Sequence, residues 1–136
     1  MVILMSRFAI PAMRRVVTFL IVALLAVVPL RGADAHAMLR DATPPVGGTL
    51  RVAPTEVRLN YSEAIDAPLC SVHITDSQGT LVDRDDLHRD PDDRNRLVIG
   101  LQPLPPGDYR VEWTAVSVDT HKTEGAYGFT VLEQKP

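Results

Sequence analysis

From residue 36 onward the sequence predicts an all-β fold, an antiparallel sandwich or barrel of about six or seven short strands. Three observations carry this. The dominant hydrophobic period is two. Turn chemistry separates the periodic runs at intervals of about ten residues. No segment past residue 36 carries a helical stripe.

The elements follow in order. "EVRLNY", Glu56 to Tyr61, sends Val57, Leu59 and Tyr61 to one face and Glu56, Arg58 and Asn60 to the other. "CSVHIT" places Cys70, Val72 and Ile74 inward and Ser71, His73 and Thr75 outward. "RLVIGL", "YRVEWTAV" and "AYGFTVL" are rich in β-branched and aromatic residues and read as further strands. "TPPVGG", "DSQG", "LPPGD" and "TEG" read as the turns between them. Tyr109 opens a strand just after a Pro-Gly turn, the setting of a corner tyrosine whose hydroxyl bonds back to backbone. Trp113 shares its alternating face and is expected in the centre of the core. Cys70 is expected to be a small buried thiol. It is the single cysteine of the chain, so no internal disulfide can form.

Ahead of that domain lies a different kind of segment. Arg14 and Arg15 precede "VVTFLIVALLAVVPL", fifteen residues without a charge, and then a polar stretch ending in Ala33-Asp34-Ala35. Positive, apolar and small-residue regions in that order predict a signal peptide over residues 1–35, a helix removed by cleavage after Ala35. The apolar run is short for a permanent anchor, which needs ~20 residues. Met13 would open a more compact leader than Met1. The expected mature domain is then 36–136, exported, monomeric and not membrane-spanning.

Of the fourteen Lys and Arg, four lie in the leader, as does one of the seventeen Asp and Glu. The mature domain keeps ten cationic against sixteen anionic side chains, a formal charge of −6. That excludes nucleic acid as an expected partner, because phosphates select basic surfaces. "VDRDDLHRDPDDRNR", Val82 to Arg96, holds six aspartates and four arginines and is expected to be a solvated loop. Its carboxylates would suit calcium, but the spacing misses the EF-hand pattern and the arginines offset the charge.

His36 is the candidate with most chemistry. Cleavage after Ala35 gives it a free α-amine beside its imidazole, so amine nitrogen and Nδ1 can chelate one ion. With pKa values of ~7.7–8.0 and ~6.5, both give way to a metal near neutral pH. Asp119 and His121 in "SVDTHKTEG" are two apart, so in extended chain both side chains leave the same face. Three nitrogens and one oxygen suit tetragonal Cu(II), though Zn(II) could use the same set. Cu(I) prefers sulfur, and the mature chain offers only Met38 and Cys70, so no dedicated Cu(I) site is expected. His73 and His88 lack partners at ligand spacing and read as surface residues.

"HAMLRDATPPVGGTLRVAPTEVRLNYSEAI" resembles the opening of the CopC periplasmic copper-binding proteins. "LPPGDYRVEWTAVSVDTHKTEGAYGFTV" resembles their closing block, a Gly-x-Tyr-x-Val-x-Trp strand running into Ser-x-Asp-x-His. The resemblance implies a Greek-key β-sandwich of Ig-like or cupredoxin-like kind and Cu(II) held by His36, Asp119 and His121. It places Glu63 near the site and puts Tyr61 where the family often has Phe. It implies a CopD-type inner-membrane protein, a separate chain here, and a periplasmic multicopper oxidase as partners. The Met-rich Cu(I) loop of some members is missing.

An exported Cu(II) carrier is the leading expectation. A copper-dependent oxidative enzyme of histidine-brace type would need an open position and a flat aromatic platform, and no such platform is evident. A metal-free Ig-like interaction domain is the remaining alternative.

Overall fold

The computed structural model describes residues 37–133. The predicted leader, the cleavage site, Met13 and His36 lie outside the described residues. Eight strands run in the order β1 (Leu39–Thr43), β2 (Thr49–Leu50), β3 (Glu56–Tyr61), β4 (Ser71–Asp76), β5 (His88–Asp90), β6 (Asp93–Gly100), β7 (Gly107–Val116) and β8 (Lys122–Val131). A single 3-10 turn, Ala67–Leu69, lies between β3 and β4. Among the described residues no helix is long and apolar enough to cross a membrane.

The strands form two four-stranded sheets, one ordered β1-β3-β6-β5 and the other β2-β8-β7-β4. The chain changes sheet at every connection except β5 to β6 and β7 to β8, so consecutive strands repeatedly lie in opposite sheets. This is the expected β-sandwich. Its pairing is antiparallel except where β2 runs parallel to the end of β8, Thr49 beside Thr130 and Leu50 beside Val131.

Alternation explains the core. Val57, Leu59 and Tyr61 are buried from one sheet, and Val72, Ile74 and Val111 from the other. Each aliphatic side chain taken out of water contributes about 1.5–3 kcal/mol. Without a disulfide, that burial must offset the chain entropy. Tyr109 is the predicted corner: its hydroxyl donates to the Pro105 carbonyl at 2.5 Å, and its ring stacks on Phe129 with centroids 5.3 Å apart.

Four expectations need correction. Trp113 sits at the margin of the core, half-buried, with its ring edge-on to Tyr61 at 5.6 Å. It lies over Gly125 on the neighbouring strand, where a Cβ would come within 2.6 Å of the indole. "TEG" is therefore no turn; it belongs to β8, paired with β7 residue by residue, and Gly125 is there to admit the indole. Cys70 is half-buried and precedes β4. Its Sγ accepts the Val116 N–H at 3.2 Å and faces the Asp66 carbonyl at 3.2 Å, and burial pushes the thiol pKa up.

The fourth correction concerns the charged segment. Its first part, to Leu87, is loop as expected, but from His88 on it folds into a hairpin of β5 and β6, closed by Pro91 and Asp92 between the paired Asp90 and Asp93. Four of its carboxylates are engaged, by Arg96 or by backbone N–H groups. Arg96 bridges Asp90 and Asp93 at 3.1 Å each. Asp83 accepts the Ile74 N–H at 3.0 Å and Asp86 the Gly100 N–H at 2.6 Å. Intervals of like charge masked the strand because paired aspartates and arginines cancel locally. His88 is thereby a strand residue, opposite Val98.

Candidate metal centre

The β7–β8 hairpin turns through Ser117–His121, closed by the pairing of Val116 with Lys122. The Ser117 N–H donates to the His121 carbonyl at 3.0 Å and the Thr120 N–H to the Ser117 carbonyl at 2.9 Å. Thr120 takes the left-handed conformation, φ 73°, which completes the turn. Asp119 and His121 are thus brought together by a tight loop, where the sequence suggested extended chain.

Within this loop Asp119 Oδ2 lies 3.1 Å from His121 Nδ1. Ser117, 1 % exposed, donates its hydroxyl to Asp119 Oδ1. That hydrogen bond, followed by the contact with His121, holds the Asp119 carboxyl below the usual carboxylate range against the opposing pull of desolvation. Both side chains remain open to solvent, Asp119 at 40 % and His121 at 50 %. A carboxylate oxygen and an imidazole nitrogen bound side by side on one ion, at ~2.0–2.1 Å each and near a right angle, stand about 2.9 Å apart. The pair has the separation of two donors to one cation, and as it stands it makes a charge-assisted hydrogen bond.

Two further segments are tied to this end of the sandwich. The Val118 N–H donates to the Ala64 carbonyl at 3.0 Å and the Asp66 N–H to the Val116 carbonyl at 2.9 Å. Glu63, half-buried, lies in this strap. The Thr123 hydroxyl donates to the Ala37 carbonyl at 2.8 Å. The Met38 N–H donates to the Ser62 hydroxyl at 2.9 Å, and the Ser62 N–H returns to the Met38 carbonyl at 2.8 Å. Ala37 is fully buried.

His36, the third predicted ligand, lies outside the described residues. Among the described residues no three His, Cys, Asp or Glu side chains gather to hold a metal. His73 Nδ1 stands 3.9 Å from Asp83 Oδ2, and His88 Nδ1 contacts the Asp86 carbonyl at 2.8 Å; the structure brings neither to the Asp119–His121 pair. Sequence analysis assigned no role to Ser117, Ser62 or Thr123. For Ser117 the signal was present: it stands two residues before Asp119, in the same alternation that singled out Asp119 and His121.

The family model described as CopC domain matches residues 39–132. The chain is 35% identical over 98 residues to Protein YobA of Escherichia coli K12, covering 71% of this chain and 79% of that protein. It is 32% identical over 106 residues to Copper resistance protein C of Escherichia coli, covering 73% and 83%. It is 30% identical over 98 residues to Copper transport protein CutJ of Bacillus subtilis, where the match covers only 18% of the longer protein. Among solved structures, CopC from Methylosinus trichosporium OB3b superposes with a TM-score of 0.69 at 30% identity, covering 74% of this chain and 98% of that one. PcoC, a methionine-rich copper resistance protein from Escherichia coli, gives 0.63 at 33% identity, covering 71% and 99%.

Proposed function

The chain belongs to the CopC family, and from that premise we propose that it is an exported Cu(II) carrier whose metal is held by His36, Asp119 and His121. Residues 1–35 are the export signal, and cleavage after Ala35 creates the amine that His36 contributes. The observation that carries this reading is the Asp119–His121 pair, 3.1 Å between donor atoms, on a hairpin to which Ala37 is bonded through Thr123. Ala37 is the residue that follows His36 in the sequence. Copper resistance and copper transport are what the relatives are named for.

Copper is cargo here. The amine and imidazole of His36 form a chelate ring, the His121 imidazole adds a third nitrogen, and the Asp119 carboxylate adds an oxygen. Nitrogen and oxygen donors of this kind favour Cu(II), which heads the divalent affinity order. Ser117 holds the carboxylate ionised and aimed. The open rim lets a partner reach the ion, and the partners are a CopD-type inner-membrane protein and a periplasmic multicopper oxidase. The protein works outside the cytoplasm as a monomer and is not an enzyme.

The test is a competition titration with Cu(II) on protein whose intact mass shows a start at His36. His121→Ala should lower the affinity at least a hundredfold with the fold retained, and Asp119→Asn about tenfold. Unchanged binding in His121→Ala would remove the proposed site.

A further inference from the structure

Beside the nitrogen and oxygen donors stands one sulfur that they do not use. Met38 is the single methionine among the described residues, and its side chain is 66 % exposed. Met38 directly precedes β1, and it stands exposed beside the fully buried Ala37. Its backbone, by contrast, is fixed by the reciprocal pair of hydrogen bonds with Ser62. Two residues on, Ala64 receives the Val118 N–H from the loop that carries Asp119 and His121. A flexible thioether is thus anchored by its main chain at the same end of the sandwich as the candidate metal centre. Met has three rotatable bonds and a polarizable sulfur, so it adapts its reach to a nearby ion.

The other sulfur is committed elsewhere. Cys70 Sγ is engaged by the Val116 N–H and the Asp66 carbonyl, and burial keeps it a thiol. Thioether and imidazole together suit Cu(I), which turns away from carboxylate oxygen.

We propose that Met38 is a soft donor to Cu(I) at the same site, with its Sδ and the His121 imidazole holding copper that arrives already reduced. Copper that reaches the protein as Cu(I) is then retained there. This inference rests on the Cu(II) reading above and extends it to a second oxidation state.

The test compares the parent protein starting at His36 with Met38→Leu, a volume-conserving exchange at an exposed position that should leave the fold intact. Cu(I), supplied anaerobically with ascorbate, is titrated against a chromophoric Cu(I) chelator. Met38→Leu should lower Cu(I) affinity at least tenfold and leave Cu(II) affinity within twofold. The Met38 methyl signal in a 1H–13C spectrum should shift on addition of Cu(I). A parent that binds Cu(II) as proposed, with Cu(I) affinity indifferent to Met38→Leu and an unmoved methyl signal, overturns this inference alone. A parent that binds neither oxidation state overturns both readings.

Discussion

The Ser117 hydroxyl, almost wholly buried, donates to the same Asp119 carboxylate that meets His121 Nδ1 at 3.1 Å. Ser117 also faces the His121 carbonyl, at 3.0 Å from its N–H and 3.3 Å from its Oγ. One serine therefore positions both members of the candidate pair. Ser117→Ala should lower Cu(II) affinity about tenfold, the scale of one hydrogen bond to a charged group. Circular dichroism should show the sandwich unchanged, and competition titration measures the loss. Parent-like affinity would make the contact incidental.

Tyr61 is 2 % exposed, and its hydroxyl has no hydrogen-bond partner among the described residues. Burial pushes its pKa far up, with Cys70 and then Tyr127 adding to the effect. A buried hydroxyl without a partner is destabilising, and the resemblance puts Phe at this position in many members. Tyr61→Phe should raise stability by about 1 kcal/mol. The urea midpoint measures it; a lower midpoint would show that the hydroxyl is satisfied.

Gly125 keeps Trp113 in place. A side chain there would start 2.6 Å from the indole. Gly125→Val should displace the ring and cost about 1–3 kcal/mol. Trp113 is the only tryptophan of the chain, so its fluorescence reports the displacement directly. An unshifted emission with unchanged stability would contradict the close packing.

Acid should weaken the β5–β6 hairpin. The Asp90 carboxyl is held below its ordinary value by the Asp92 N–H first and then by Arg96. A carboxyl depressed on folding contributes stability that is present above its unfolded pKa, ~3.9, and is lost as pH falls through the lower folded value. Between pH 5 and 2 the urea midpoint of the parent should fall more steeply than that of Asp90→Asn. Parallel curves would show that the contact adds nothing to folding.

Much of the fold is legible in the sequence. Val57, Leu59 and Tyr61, like Val72 and Ile74, announced their buried face by alternation alone. Tyr109 announced its corner by its place after a Pro-Gly turn. The failures share a cause: pairing partners are not written locally. "TEG" looks like a turn because Gly125 is read without Trp113 opposite it. The charged hairpin looks like a loop because Asp90, Asp93 and Arg96 satisfy one another only once paired. At the site, the chemistry of Asp119 and His121 was readable from residue type and spacing. The left-handed Thr120 was not, since it depends on the turn that closes β7 onto β8, and the spacing of Ser117 marked its place but not its burial.

In the proposed site one nitrogen comes from a terminus made by cleavage. Cu(II) electron paramagnetic resonance, at one equivalent of copper, tests it on protein starting at His36 and on a variant with a single residue added ahead. The first should give a tetragonal spectrum with about three nitrogens, and the second should lose it. The same spectrum in both, or loosely bound copper in both, would contradict that assignment.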